Sequence, residues 1–276
     1  MELPLQLCKK FIAILLVLFL FNLLFSCNPA AYVTQTPIVP LFKEKGDANI
    51  DYGFNMAGNP QNRDIGFGIN TAYALTDHFV LTGSFYTNSG GEEVDTTQFD
   101  NGVIFLGNEW RVEHNIFGIS AGWYNSGKGD INSNWRVEVL GGISYANLQN
   151  QREDNWLLNS KSLIYSVKPA IGYVSKNLTV YTSLKINYLD YLTYETRLPG
   201  QFALTNQFFD TYDGHFIVEP SIGVQLGIEP VKVGLHYAIG SFNENISIES
   251  LSGTSIVSNS MVSFVMVIRP RLKREK

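Results

Sequence analysis

The sequence predicts an all-β protein: an antiparallel, up-and-down transmembrane β-barrel of about ten strands. Three observations lead there. From residue 46 onward, apolar residues recur at every second position in segment after segment, and period-two alternation marks strands with one apolar face. Several segments run for about 10 to 14 residues, whereas globular strands centre on about five or six and membrane strands need about 9–11. Tight turns alternate with longer loops along the chain, as in outer-membrane barrels.

Composition agrees with this class. Only 16% of the 276 residues are charged, well below the usual share for a soluble protein of about 25%. Aromatics make up 13%, and Tyr and Phe dominate them, which suits strands better than helices. A net charge of −5 argues against an electrostatic nucleic-acid binder.

Residues 1–26 read as a lipoprotein signal peptide. Lys9 and Lys10 supply the positive region, and the apolar run from Phe11 to Phe25 is too short to span a bilayer, which takes about 20 residues. Leu24-Phe25-Ser26-Cys27 resembles a bacterial lipobox, with Phe25 standing where a smaller residue is usual. Cleavage there makes Cys27 the lipidated first residue. Cys8 is lost with the signal peptide, so the mature chain has no second cysteine for a disulfide or a thiolate metal site. It also loses Glu2, Lys9 and Lys10, and its net charge becomes 18 − 24 = −6. Residues 27–45 contain prolines and show no period, and are expected to form a tether from the lipid to the barrel.

The barrel is expected over residues 46–269, followed by a basic periplasmic tail over 270–276. Its strands follow in order. "ANIDYGFNM" aligns Ile50, Tyr52, Phe54 and Met56 on one face, and "DIGFGINTAYAL" aligns Ile65, Phe67, Ile69 and Tyr73. "HFVLTGSFY" and "NIFGISAGWY" come next; residues 102–114 before the latter are ambiguous between a strand extension, an eleventh strand and a hairpin. "NWRVEVLGGISYA", "SLIYSVKPAIGYV" and "LTVYTSLKINYL" continue the pattern, then the pair within "VEPSIGVQLGIEPVKVGLHYAIG", and last "SNSMVSFVMVI". Tight turns are expected at 76–78, 175–177 and 229–230, with a medium one at 125–133. Longer loops are expected at 58–63, 89–115, 148–161, 193–214 and 243–255. Ten strands put both termini on one side. Pro169 and Pro220 lack a ladder donor, so each calls for a bulge or for a staggered neighbour that leaves that position unpaired.

Alternation alone does not say whether the apolar face meets lipid or a core. The polar face carries Asp51, Asn55, Arg136, Glu138, Lys168, Lys185, Glu219, Gln225, Lys232 and His236. In a soluble, lipocalin-like barrel these meet water; in a membrane barrel they fill the lumen and pair there. Aromatics toward strand ends (Tyr73, Phe79, Tyr165 and Tyr173 among them) suit interfacial girdles. A polar face rich in Gly, Ala and Ser suits a narrow lumen. The expected lumen charge network is Asp51, Arg136, Glu138, Lys168, Lys185, Glu219, Lys232 and His236.

With these residues in view, the chain resembles the small outer-membrane β-barrel lipoproteins of Bacteroidota-type bacteria. The lipobox and its Pro-containing tether, "PLFKEKGDANIDYG", "AYALTDHFVLTGSFY" and "VKPAIGYVSKNL" carry the resemblance, which covers most of residues 24–240. It implies an outer-membrane address, lipid-anchored at Cys27, and little about activity. One departure is the end, "VIRPRLKREK", where many such barrels finish on an aromatic residue.

Motifs for catalysis are absent from the sequence. The four histidines lack metal spacing, no GxSxG, P-loop or dinucleotide fingerprint occurs, and no cofactor is implied. "GGEEVDTT" reads as a solvated loop tip rather than a calcium site. Asp213-Gly214-His215 resembles the Asp-x-His dyad of omptin proteases, in which a carboxylate orients an imidazole base. Those enzymes also need a facing acidic pair, and no Asp-x-Asp exists here. The competing expectation is a rim turn with a solvated His215. The loops hold exposed aromatics (Trp156, Phe202, Phe208, Phe209 and Tyr212) suited to contact with a partner, or to forming a lid over the barrel mouth. The expected role is therefore structural, or interaction through surface loops, without catalysis. Expected partners are outer-membrane lipid and lipopolysaccharide and the barrel-assembly and lipoprotein-export machineries; nucleic acid is excluded and the surface ligand is open. The alternatives are a narrow pore for small solutes and a soluble lipocalin-like barrel.

Overall fold

A computed structural model describes residues 32–33, 39–57, 64–92, 110–125, 134–152, 157–197, 214–242, 257–258 and 260–270. Ten strands form the barrel: β1 (Ala48–Ala57), β2 (Asp64–Ala74), β3 (Phe79–Glu92), β4 (Trp110–Tyr124), β5 (Trp135–Arg152), β6 (Leu157–Val174), β7 (Leu178–Arg197), β8 (Gly214–Ile228), β9 (Val231–Ile239) and β10 (Ser260–Ile268). Each pairs antiparallel with its sequence neighbours, and β10 pairs back onto β1, from Met261↔Ala57 to Ile268↔Ile50, so the ring closes without an edge. No described residue is helical.

Side chains alternate as the period-two pattern requires. On β5, Arg136, Glu138 and Leu140 are buried in the lumen while Trp135, Val137 and Val139 are exposed outside. Polarity is inverted relative to a soluble barrel. Outside, Phe54, Ile119 and Ile228 are 59%, 64% and 66% exposed; inside, Glu138 and Asn187 are 0% exposed. A lipocalin-like soluble fold is overturned by this arrangement, because it would leave an apolar belt in water and charges in its core.

Outward aromatics pair across strands in two belts. Near the tight turns, Trp135 packs edge-on to Tyr173 at 5.8 Å. Toward the loops, Phe85 meets Phe117 at 4.9 Å, Tyr188 meets Phe216 at 4.9 Å, and Phe54 meets Phe67 at 5.5 Å. Tyr165 and Tyr173 on β6 are eight residues apart, about 27 Å along a strand and about 21 Å along the barrel axis at a tilt near 40°. With the rings' own width, that matches the apolar band of a membrane barrel, about 25 Å tall.

Several strands outrun the sequence expectation. β5 and β6 reach 18 residues and β7 reaches 20, so the link between β5 and β6 is only residues 153–156 rather than 148–161. The outward face changes from Tyr145 to Asn147, Gln149 and Gln151, so the ladder continues past the apolar belt with a polar outward face. The ambiguous stretch resolves in part: residues 110–114 are the start of β4, while 102–109 lie outside the described residues.

Neither proline makes a bulge. Pro169 pairs with Val139 on β5, but the β6–β7 ladder skips from Val167↔Ile186 to Ala170↔Ser183 in unchanged register. Pro220 pairs with Leu184, and on its other side the pairing skips from Ala238↔Ser221 on β9 to Ser241↔Val218 in the short strand Ser241–Phe242 that follows β9. Each proline thus leaves one side of its strand unpaired, where its missing N–H costs no hydrogen bond. The β6–β7 register does shift, between Lys161 and Ser162, where Leu192 is the extra residue.

At the turn end, Gly46 turns the chain into β1 with φ of 84°, a conformation that favours glycine, and its N–H donates to the Ala74 carbonyl at 2.9 Å. The Asp47 carboxylate accepts from the Lys43 and Glu44 amides at 2.9 and 3.1 Å. At the opposite, loop-bearing end, Tyr32–Val33 pairs in parallel with Val257–Ser258, just above the start of β10.

Candidate functional site

The lumen is layered. A loop-side apolar band joins Tyr86, Ile116, Ala146, Ile164, Leu189 and Ile217, one from each of β3 to β8. Two turn-side clusters complete the lower layer. Phe42 packs with Ala72, Ala74, Val80, Tyr124 and Leu140, while Val39 and Leu41 pack with Ala170, Val174 and Tyr181. Charged and amide side chains lie between them.

Residues 39–43 form a strap inside the turn end of the barrel. Leu41 and Phe42 are 1% and 2% exposed. The Leu41 amide donates to Glu138 Oε2 at 3.0 Å, Arg269 Nη2 donates to the Pro40 carbonyl at 3.2 Å, and Phe42 meets Tyr124 edge-on at 6.0 Å. Lys43 Nζ and Arg269 Nη1 each approach Glu229 Oε1 at 3.9 Å. Gly172 makes room, because a Cβ there would sit 2.5 Å from Leu41 Cδ1. These residues were expected in a tether outside the barrel. Burial of their apolar side chains, about 1.5–3 kcal/mol for each fully buried one, draws them in.

The expected charge network divides into groups. Lys185 Nζ lies 3.7 Å from Glu219 Oε2, which also accepts from Asn187 Nδ2 at 2.9 Å. Asp51, Glu138 and Lys168 lie within electrostatic reach of one another, with Arg269 acting on both carboxylates. His236 stacks on Tyr181, with ring centroids 6.0 Å apart at 16°, and lies within electrostatic reach of Lys168. A Cβ at Gly223 would fall within the Tyr181 ring, so this glycine lets the stack lie against the wall. Arg136 and Lys232 lie nearer the turn end, within electrostatic reach of Asp47 and of Glu229 and Arg269 respectively. Arg136 Nη1 donates to the Trp135 carbonyl at 2.7 Å, and Lys232 Nζ donates to the Ser175 carbonyl at 2.9 Å and Thr179 Oγ1 at 3.0 Å. Desolvated charges of this kind hold only where partners satisfy them.

His215 is not a solvated rim residue. It is 0% exposed, inward-facing near the start of β8, and edge-on to Tyr191 at 5.5 Å. Its position opposite Leu189 fixes that orientation by strand parity. Asp213 lies outside the described residues, as do Cys27, Trp156, Phe202, Phe208, Phe209 and Tyr212. Sequence reasoning missed Asn187, Tyr181, Arg269 and the strap; the apolar run at Val39, Leu41 and Phe42 was the available signal for the last.

No protein-family model matches the chain, and no curated protein matches it. Solved structures do. CdiB from Acinetobacter baumannii is similar at 8% identity and a TM-score of 0.32, over 82% of this chain and 60% of CdiB, so the chain spans less than two thirds of that protein. The NanC porin is similar at 7% identity and a TM-score of 0.37, over 81% of this chain and 100% of the porin. The outer membrane protease OmpT from Escherichia coli is similar at 8% identity and a TM-score of 0.35, over 81% of this chain and 92% of the protease. The ring of ten strands and the inverted polarity of its wall define the class independently: the chain is a closed, antiparallel β-barrel of the outer-membrane type.

Proposed function

We propose that this protein is an outer-membrane lipoprotein barrel of the Bacteroidota type, lipidated at Cys27, that serves the envelope as a structural or surface-binding component and neither conducts solutes nor catalyses a reaction. One observation carries the reading: the lumen is a packed core. Ile164 and Ile217 in the loop-side band are 0% exposed, and Leu41 and Phe42 occupy the turn end. A conducting lumen needs a continuous wet path, and small barrels instead fill their interiors with side chains. Action is then left to the outer rim. Loops carrying Trp156, Phe202, Phe208, Phe209 and Tyr212 offer aromatic contacts for a partner or for lipopolysaccharide, while the outer wall meets outer-membrane lipid. Biogenesis on this reading requires the lipoprotein-export and barrel-assembly machineries.

Planar-bilayer recording on the purified full-length protein tests this. A heat-modifiable barrel, shifted in gel mobility on boiling, with no unitary conductance is the expected result. Stable unitary currents in buffered salt would replace the reading with a narrow pore.

A further inference from the structure

We infer that the lumen encloses a polar chamber at mid-height, against the wall formed by β3 to β7, and that the ligand of this chamber is a cluster of bound water. Inward-facing residues of that wall form a chequerboard. One cross-strand row reads Ser84, Gly118 and Ser144; the next row toward the turn end reads Ser120, Gly142 and Ser166. A Cβ at Gly118 would run into the hydroxyls of Ser84 and Ser144, and one at Gly142 into that of Ser120. The serines therefore lean across the glycines, and their hydroxyls make the inner surface of the wall.

Side-chain exposure locates the space. Ser84, Ser120, Ser144 and Ser166 face inward yet are only half-buried, whereas Ser183, Ser221 and Ser263, inward on β7, β8 and β10, are buried. Lys185, inward on β7, keeps 13% of its side chain exposed, behind the outward Leu184 and Ile186. This level is sealed from both ends. Toward the loops, Tyr86, Ile116, Ala146, Ile164, Leu189 and Ile217 are all buried. Toward the turns, Thr82, Leu140, Lys168 and Ala170 are buried as well. The exposed surface of the serines and of Lys185 thus faces an enclosed space. Lying between two seals, the chamber forms no continuous wet path across the membrane.

The lining selects water. Among the described residues, none hydrogen-bonds the hydroxyls of Ser84, Ser120, Ser144 or Ser166. Each hydroxyl offers one donor and two acceptor lone pairs. Enclosed polar groups of this kind are satisfied by ordered water, which makes about three hydrogen bonds per molecule. Lys185 Nζ and Glu219 Oε2 stand 3.7 Å apart, longer than a hydrogen bond, a spacing that a bridging water fits. An apolar guest would leave the hydroxyls unsatisfied. Water here also keeps the Lys185–Glu219 pair partly solvated at membrane depth, which lowers the desolvation cost that a dry lumen would impose on both charges.

The test places a nitrile probe in the lumen of the full-length protein. In a Cys8→Ser, Cys27→Ser background, Ser144→Cys is cyanylated in urea and the chain is refolded into detergent micelles, with the gel mobility shift on boiling as proof of the barrel. Ala146→Cys carries the same probe into the loop-side band and is the dry reference. The nitrile stretch at position 144 is expected at higher frequency than at 146, close to that of the cyanylated reagent in water. A stretch at 144 that matches the reagent in an apolar solvent overturns the inference. Ser84→Ala in the same chain removes a protein hydroxyl that leans over the same glycine; the shift is expected to survive it, and its loss would assign the shift to Ser84 and overturn bound water. Ser166→Cys probes the second row with the same expectations, and decides the matter where the Ser144 variant does not refold. Closure is read separately. Unlabelled Ser144→Cys in the folded barrel is expected to resist a water-soluble thiol reagent that modifies it fully in urea, and rapid modification without urea would overturn the enclosed chamber.

Discussion

Replacing Leu41 with alanine isolates the strap from the barrel that holds it. Leu41 is 1% exposed and packs with Val39, Ala170, Val174 and Tyr181, so truncation removes a fully buried side chain. Buried Leu→Ala changes cost about 2–5 kcal/mol. The strap is a peripheral unit, and it releases before the strands part. When reclosing is fast, proteolysis tracks the open population, and each 1.4 kcal/mol is about tenfold. Tryptic cleavage after Lys43 and Lys45 is therefore expected to accelerate by about 30- to 3,000-fold, saturating once the strap is fully undocked. The barrel, read by its gel mobility shift on boiling, is expected to persist. Leu75→Ala at the same end, where Leu75 is 41% exposed, is the control and changes little. Cleavage that stays within threefold of wild type would refute the reasoning, because it would mean that burial of Leu41 does not hold the segment in place.

Three further substitutions probe the wall and the lumen. Ile119→Arg puts a charge on the outward face at a residue 64% exposed beside Phe117; in lipid this costs about 2–4 kcal/mol near the midplane, and a urea titration in bilayers showing under 0.5 kcal/mol would place that face outside the membrane. Within the lumen, Glu219→Leu removes the carboxylate that faces Lys185 and Asn187 and is expected to cost about 3–5 kcal/mol, whereas Lys185→Met with Glu219→Leu costs less than Glu219→Leu alone. A double-mutant cycle by urea unfolding checks this, and strict additivity would show that the 3.7 Å pair is not coupled.

Strands were legible because lipid imposes a sharper pattern than water does. Trp135, Val137 and Val139 stand on one face with Arg136 and Glu138 on the other, and no helical period competes with that alternation. Strand ends were less legible. Beyond the aromatic belt the outer face meets water, so Asn147 and Gln149 read as loop although they are paired with Lys161 and Asn159. The orientation of His215 turned on where β8 begins, since one residue of offset moves a side chain to the opposite face. The strap left a single trace in the sequence, the apolar run at Val39, Leu41 and Phe42. Its partners, Glu138 and Arg269, stand 97 and 229 positions away, and a segment without a period gives no sign that distant residues will cover it. The division of the lumen charges was hidden for the same reason. Register decides that Lys185 faces Glu219, while Lys232, beside the turn, satisfies the Ser175 carbonyl instead.

The placement of the strap also ties it to the closing seam. A closed ring of ten hydrogen-bonded strands has no edge through which a chain can slide sideways. Residues 39–43 lie at the turn end, directly before β1, and dock there against inward-facing side chains of the wall. The lock comes from the end of the chain. Arg269 follows β10 directly and donates to the Pro40 carbonyl, while its backbone N–H donates to the Pro230 carbonyl at 2.8 Å. Closure of the seam thus brings in the side chain that holds the strap, and the lumen becomes a core at the same step that removes the last open edge.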